Sequence, residues 1–166
     1  MIKKPFKPAY GLKNSHLQTL YPTFFNKPKP LQIEHQKFEL SDGDFVECVW
    51  HNKPNEEYQK PIVVLFHGLA GGFNSPYIQR AISTLGSNGF SVVLMHFRGC
   101  GKEMNILARS YHSGETGDAK EWFKELKNRY PSNPLFAIGY SLGGNMLLKL
   151  LGELENDSPL TACISI

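Results

Sequence analysis

A serine flanked by glycines, in the stretch Gly139-Tyr140-Ser141-Leu142-Gly143, is the feature that most constrains the fold of this chain. An apolar run, Leu135 to Ile138, precedes it, and a helical pattern, Leu142 to Leu154, follows it. A serine on a tight turn from strand to helix is typical of a nucleophile elbow, which holds the hydroxyl group above the edge of a sheet. The flanking glycines remove Cβ atoms that would collide as the strand and the helix pass each other. We therefore predict that Ser141 is a nucleophile at a helix N-terminus, whose dipole and free N–H groups stabilise a developing oxyanion.

A second glycine-rich stretch, His67-Gly68-Leu69-Ala70-Gly71-Gly72, directly follows the continuous apolar run Pro61 to Phe66. Because the carboxyl ends of parallel strands meet at one edge of a sheet, we expect this loop to lie beside Ser141. The backbone N–H groups of Leu69 and Leu142 would then form an oxyanion hole. The glycines alone would also fit a plain turn into the next helix, and it is the serine motif that favours the oxyanion hole.

Two histidines near these motifs are candidates for the wall of the site. His67 precedes Ser141, which is the wrong order for its catalytic base, so we expect it to brace the loop or line the site. His112 lies in the polar segment Tyr111 to Thr116 and can also line the site, although that segment equally fits helix-capping chemistry. The segment Arg98 to Gly101 follows a strand as a dinucleotide-binding loop does, but the third glycine of that motif is absent.

The order of the apolar patterns predicts the fold class. Residues 31–40 and 45–51 alternate between apolar and polar, and the Asp42-Gly43 turn between them predicts a β-hairpin. Four continuous apolar runs then alternate with three helical patterns, which requires a parallel sheet with right-handed crossovers. We expect an α/β fold, with a mainly parallel sheet, an N-terminal antiparallel hairpin and flanking helices. The apolar runs cover residues 61–66, 91–97, 135–138 and 162–166, and the helical patterns cover residues 76–85, 116–129 and 142–154.

The first thirty residues differ in composition from the rest. Residues 1–30 interleave prolines with lysines, so we expect an irregular basic arm laid over one domain formed by residues 31–166. Within the arm, residues 14–20 fit a short helix capped by Asn14 or Ser15. The arm could touch an acidic membrane surface, but a solvated terminus is the simpler interpretation. Its lysines are Lys3, Lys4, Lys7, Lys13, Lys27 and Lys29.

Composition and charge exclude several classes of function. Of the 166 residues, 41% are apolar, which is ordinary for a globular protein. The net charge of +3 is too small to predict nucleic-acid binding. No run approaches the roughly 18 apolar residues of a membrane span, and Pro5 interrupts the N-terminus, so we expect neither stable membrane insertion nor a signal peptide. Three cysteines without C-x-x-C spacing favour a cytoplasmic location. We expect no metal and no other cofactor, because the sequence has no cluster of metal ligands and no P-loop lysine.

Together these motifs resemble those of the YheT-like esterases, a branch of the α/β-hydrolases related to the abhydrolase-domain lipases. The resemblance implies an α/β-hydrolase fold and hydrolysis of a carboxylic ester, with an acylglycerol or a short-chain ester as the small-molecule substrate. Ser141 matches the nucleophile of that family. The residues that carry the resemblance span nearly the whole chain, in family order, and are 14–19, 67–71, 75–77, 97–100, 111–116 and 139–145.

The sequence departs from that family in one large respect. The catalytic residues of this fold follow the chain order Ser, then Asp or Glu, then His, and the last histidine here is His112. The later carboxylates, Glu153, Glu155 and Asp157, fall at the far end of the helix that follows Ser141. By resemblance, the acid and the histidine would lie beyond residue 166. The chain therefore resembles the N-terminal half of such an enzyme, with the sheet truncated after the strand that follows the nucleophile helix.

Two alternatives to ester hydrolysis fit the same residues. The fold could instead transfer an acyl group to an alcohol, which the sequence does not distinguish from hydrolysis. Without a general base a serine hydroxyl is a poor nucleophile, so we expect weak or no activity from the isolated chain. The competing interpretation is a non-catalytic remnant or association module, since an uncovered strand over residues 162–166 would favour self-association through its free edge.

Overall fold

A computed structural model gives the fold of the chain and describes residues 7–25, 30–55 and 59–166. Over these residues it contains four α-helices and six strands, and a short 3-10 turn over Glu155–Asp157 precedes the last strand. In chain order the elements are α1 (Ser15–Phe25), β1 (Glu34–Glu39), β2 (Phe45–His51), β3 (Ile62–Phe66), α2 (Pro76–Ser87), β4 (Ser91–Met95), α3 (Gly117–Arg129), β5 (Leu135–Gly139), α4 (Leu142–Leu154) and β6 (Leu160–Ser165).

The strands form one sheet in the order β1-β2-β4-β3-β5-β6. β1 pairs with β2 and β2 with β4 in antiparallel register, whereas β4, β3, β5 and β6 run parallel. In the turn between β1 and β2, Gly43 has a φ of +84°, and the Leu40 N–H donates to the Asp44 carbonyl oxygen over 2.8 Å. The predicted hairpin and the predicted mainly parallel sheet are therefore confirmed.

Helices cover both faces of the central strands. On one face, Ile78 and Ile82 of α2 pack on Val63 and Leu65 of β3 and on the neighbouring strands. On the other face, the helices α3 and α4 pack on the alternate residues of the same strands, and Trp122 and Phe123 are their largest buried side chains. Burial on both faces explains why β3, β4 and β5 read in the sequence as continuous apolar runs. Each fully buried side chain of this kind contributes about 1.5–3 kcal/mol.

The N-terminal arm is more regular than its composition suggests. Asn14 caps α1, as predicted, because its Oδ1 accepts hydrogen bonds from the N–H groups of His16 at 2.9 Å and Leu17 at 3.3 Å. The helix continues to Phe25, five residues beyond the predicted end. Four lysines of the predicted basic arm lie outside the described residues, namely Lys3, Lys4, Lys27 and Lys29. Within the described parts of the chain, no helix combines the length and apolar character that a bilayer span requires.

The last strand is less buried than its apolar sequence suggests. β6 pairs with β5 through most of its length, but Thr161, Ala162 and Ile164 are exposed. The uncovered strand expected over residues 162–166 is confirmed, because among the described residues no strand pairs with the outer edge of β6.

A buried arginine ties the hairpin to the helical layer. The Arg98 guanidinium donates to both carboxylate oxygens of Asp118 on α3, each over 2.8 Å. It also contacts Asp44 at 3.1 Å and Asp42 at 2.7 Å, at the turn between β1 and β2. The hydrogen bonds that Arg98 donates to Asp118 raise the pKa of Arg98. Burial alone would raise the pKa of Asp44, but hydrogen bonds from Asn105 and from backbone amides outweigh it and hold that pKa well below its usual range.

We predict that Arg98→Met lowers the free energy of unfolding by about 3–5 kcal/mol, because it leaves buried carboxylates without their counter-charge. Urea unfolding at neutral pH measures the change. Arg109→Met is the matched control, since the Arg109 side chain also contacts Asp42 but is 42% exposed, and it should cost less than about 1 kcal/mol. Equal losses for the two variants would contradict this role for Arg98.

Candidate active site

The turn between β5 and α4 places Ser141 in a strained backbone conformation. Ser141 has φ and ψ angles of 51° and −113°, and its side chain is exposed. A non-glycine residue held in such a region stores roughly 1–3 kcal/mol, which persists only where the surroundings impose it. Here they do, because a Cβ atom on Gly139 would lie 2.5 Å from the Gly143 carbonyl oxygen, and one on Gly143 would lie 2.6 Å from the His67 carbonyl oxygen. Strand, loop and helix therefore meet backbone to backbone around the serine.

The glycine-rich loop after β3 lies beside this turn, as the sequence predicts. Phe66 pairs with Gly139 in the sheet, and the Tyr140 N–H donates to the Phe66 carbonyl oxygen over 3.0 Å. A Cβ atom on Gly68 would come within 3.5 Å of the Ser141 Cβ atom. The two motifs, which are about seventy residues apart in the sequence, thus form one site at the carboxyl edge of the sheet.

Two backbone amides of these motifs lack a hydrogen-bond partner. Among the described residues, neither the Leu69 N–H nor the Leu142 N–H has a hydrogen-bond partner. Leu142 is the first residue of α4, where the helix dipole favours negative charge, and Leu69 is 73% exposed at the tip of the loop. These are the two amides that the sequence singles out as oxyanion donors.

His67, at the start of the glycine-rich loop, is fully buried. Its Nε2 accepts a hydrogen bond from the Phe97 N–H at 3.2 Å, so its Nδ1 carries the proton and donates to the Gly68 carbonyl oxygen at 2.7 Å. Burial lowers the pKa of His67 to about 4, so the ring is neutral at physiological pH. Both ring nitrogens are thus committed, and His67 braces the loop rather than lining an open wall or acting as a base.

His112 is exposed, in a segment that contacts α4. Its Nδ1 accepts a hydrogen bond from the Gly114 N–H at 3.1 Å, and its Nε2 lies 4.0 Å from a Glu115 carboxylate oxygen. The next residue, Ser113, accepts a hydrogen bond through its carbonyl oxygen from the Asn145 side chain at 3.0 Å. Because Asn145 is one helical turn after Ser141, this segment runs along the start of α4.

The structure adds three supporting residues to which the sequence analysis gives no role. The Tyr77 hydroxyl accepts from the Gly68 N–H, and the Tyr111 hydroxyl accepts from the Ala70 N–H, each over 3.0 Å. His96 accepts through Nε2 from the Phe73 N–H at 3.1 Å, at the end of the same loop. The only signal for the tyrosines was their place in the segments that carry the family resemblance.

The acids that follow Ser141 do not reach it. Glu153 lies about 18 Å along α4 from the serine, at 1.5 Å per residue. Its carboxylate contacts Lys120 and Lys149 at 2.7 Å each and accepts from the Thr116 hydroxyl at 2.6 Å. Over the described part of the chain, no histidine or carboxylate forms a hydrogen bond with the Ser141 hydroxyl. Among the described residues, the arrangement brings together an exposed serine hydroxyl and two backbone amides without partners, but no base beside that hydroxyl.

Comparison with known proteins identifies the fold. A sequence profile described as the alpha/beta hydrolase fold matches residues 61–166. The chain is 43% identical to the protein YheT of Escherichia coli (strain K12), over 97% of this chain and 47% of that protein. It is 36% identical to the medium-chain fatty acid ethyl ester synthase/esterase 2 of Saccharomyces cerevisiae, over 66% of this chain and 25% of that enzyme. The chain thus spans less than half the length of these curated relatives.

A solved structure supports the same assignment of fold. The esterase Pf2001 of Pyrococcus furiosus superposes with a TM-score of 0.65 over 81% of this chain and 51% of that one. The sequence identity is 21%, so this likeness concerns the fold alone. Family profile, relative and structure agree with the fold expected from the serine motif and the apolar runs.

Proposed function

The chain belongs to the α/β-hydrolase fold family, and on that premise we propose that it carries the nucleophile and the oxyanion hole of a carboxylic ester hydrolase. The observation that carries the proposal is the strained Ser141, exposed beside two unpaired backbone amides. In this mechanism the Ser141 Oγ attacks the ester carbonyl carbon, and the amides of Leu69 and Leu142 bind the oxygen that becomes negative. The bond from the carbonyl carbon to the alkoxy oxygen then breaks, and the proton lost by the Ser141 hydroxyl passes to that oxygen, so that an alcohol leaves. Water next hydrolyses the acyl-serine ester to a carboxylic acid and restores the Ser141 hydroxyl.

Activation of Ser141 needs a base that this sequence does not provide in the right place. The chain order of the fold puts the acid and the histidine after the serine, and no histidine follows Ser141. We propose that both come from residues outside this sequence. The oxyanion hole alone leaves about 10³–10⁴-fold catalysis over water, so the isolated chain should be weak or inactive towards esters.

The names of the relatives support esters of fatty acids as the substrate class. The yeast relative is named both as a synthase and as an esterase of medium-chain fatty acid ethyl esters. Hydrolysis and ester synthesis share the acyl-serine intermediate and differ in whether water or an alcohol accepts the acyl group. We propose hydrolysis of a small-molecule or lipid ester in the cytoplasm, without a cofactor, and treat transfer to an alcohol as the same chemistry with another acceptor.

We predict that a fluorophosphonate probe labels this chain slowly and only at Ser141. Mass spectrometry of the labelled peptide identifies the site, and Ser141→Ala should abolish the labelling. Ser113→Ala is the matched control, because it removes an exposed hydroxyl group that lies next to α4 and should leave the rate unchanged. Labelling that survives Ser141→Ala, or a folded wild-type chain that is never labelled, would contradict the proposed nucleophile.

One observation favours the second candidate, an association module. β6 has a free outer edge among the described strands, with Ile164 56% exposed and Ile166, just after it, 66% exposed. Next to it, a groove of about 200 Å³ lies between α2 and the end of the sheet, lined by apolar side chains that include Leu85, Phe90 and Phe136. An apolar edge strand without charged residues is a template for pairing with another chain.

For this second candidate we predict concentration-dependent self-association in sedimentation velocity. Ile164→Lys should shift the equilibrium towards monomer, because a lysine on the edge opposes strand pairing. Leu148→Lys is the matched control, since Leu148 is equally exposed but lies on α4 and not on the edge strand. Circular dichroism checks that both variants are folded. A wild-type chain that stays monomeric at all concentrations would rule out the association module.

A further inference from the structure

The four consecutive backbone N–H groups of residues 68–71, in the glycine-rich loop, differ in their hydrogen-bond partners. The Gly68 N–H donates to the Tyr77 hydroxyl and the Ala70 N–H to the Tyr111 hydroxyl, each over 3.0 Å. The Gly71 N–H donates to the Gly68 carbonyl oxygen over 3.0 Å. Of these four described residues, Leu69 alone has an amide without a partner. The Leu69 N–H, which we propose as an oxyanion donor, thus lies between two N–H groups that each donate to a tyrosine hydroxyl.

The Tyr77 side chain connects the loop to the serine turn. Its ring centroid lies 4.8 Å from that of Tyr140, the residue immediately before Ser141. Its hydroxyl is packed so closely that a Cβ atom on Gly71 would lie 2.8 Å from it. Tyr77, which belongs to α2, therefore contacts both the glycine-rich loop and the residue before Ser141.

Tyr111 makes the corresponding connection on the other side. Its ring stacks on Phe97, with centroids 5.1 Å apart and planes 8° apart. Two residues later, the Ser113 carbonyl oxygen accepts the hydrogen bond from Asn145 on α4. Ala70, whose amide Tyr111 holds, has a φ of 51°, in the left-handed region that a residue with a Cβ atom rarely adopts. The hydrogen bond to Tyr111 supports this unfavourable backbone conformation.

We propose that Tyr77 and Tyr111 are positioning residues of the oxyanion hole. By accepting from the amides of Gly68 and Ala70, they fix the peptide planes on both sides of Leu69 and hold its N–H towards the oxygen of an ester bound at Ser141. Each hydroxyl accepts a hydrogen bond from the loop backbone, and we assign neither of them a contact with the reacting atoms. This inference rests on the proposed function, since it concerns how the same site is held.

The test replaces each tyrosine by phenylalanine, which keeps the ring and removes only the acceptor. For Tyr77→Phe and Tyr111→Phe we expect the maximal rate of fluorophosphonate labelling of Ser141 to fall about tenfold, below the roughly 10²–10³-fold cost of losing a donor outright. The probe concentration that gives half-maximal rate should not change, because the hydroxyls do not contact the bound probe. Tyr130→Phe is the matched control, because its ring packs on Trp50 at the opposite end of the sheet, and its rate should stay within about twofold of wild type.

A second measurement reads the loop without any chemistry at Ser141. Amide hydrogen exchange followed by NMR should show Leu69 exchanging fast and Gly68, Ala70 and Gly71 protected in the wild-type chain. Tyr77→Phe should release Gly68, and Tyr111→Phe should release Ala70. A protected Leu69 amide in the wild-type chain would overturn the inference.

The two measurements separate this inference from the proposed function. If wild-type Ser141 is labelled and both phenylalanine variants behave like Tyr130→Phe, the positioning role is wrong and the proposed function stands. If wild-type Ser141 is not labelled, the proposed function fails, and the exchange pattern alone decides whether the tyrosines hold the loop. Lower labelling with a raised half-maximal probe concentration would indicate general damage to the site and also count against the positioning role.

Discussion

Backbone packs directly against backbone where β3, β5 and α4 meet. A Cβ atom would lie 2.5 Å from a carbonyl oxygen at Gly139 and 2.6 Å from one at Gly143. No side chain can enter this contact, so the loop after β3 and the turn before α4 are held at a fixed separation. The strained φ of Ser141 and the exposure of its side chain follow from that close approach, whereas the Leu142 amide is free because Leu142 is the first residue of α4. The site therefore depends on the absence of side chains as much as on the residues that are present.

The outer half of the site depends on a second constraint, the buried Arg98. Arg98 follows β4 and binds Asp118 at the start of α3, so one guanidinium closes both ends of the long loop between them. Tyr111 lies within that loop and reaches the Ala70 amide, and the segment after it contacts α4. The ion pair of Arg98 with Asp118 thus helps to position Tyr111, which accepts a hydrogen bond from the glycine-rich loop. Arg98 thus links the hairpin to the start of α3 and to the loop that contains Tyr111.

Much of the fold could be predicted from the sequence because its signals are local or repeat along the chain. The apolar runs of β3, β4 and β5, the Asp42-Gly43 turn and the helix after Ser141 each carry their own pattern. The arm was predicted in part, because the capping signal at Asn14 indicated the start of α1, whereas the prolines gave no sign that the helix runs to Phe25. The exposure of β6 does not follow from its own apolar residues, and it was predicted only because the family resemblance ends with this strand. In the site, the serine and its two amides follow from the motifs, but Tyr77, Tyr111 and His96 support them through contacts between distant segments that no spacing encodes.

A crystal structure of the chain after reaction with a fluorophosphonate tests the central claim most directly. We predict phosphorus bonded to the Ser141 Oγ, with the phosphoryl oxygen within about 3.1 Å of both the Leu69 and the Leu142 backbone nitrogens. That geometry would place the nucleophile and both oxyanion donors in a single observation. An adduct on another residue, or a phosphoryl oxygen that points away from both amides, would contradict the account.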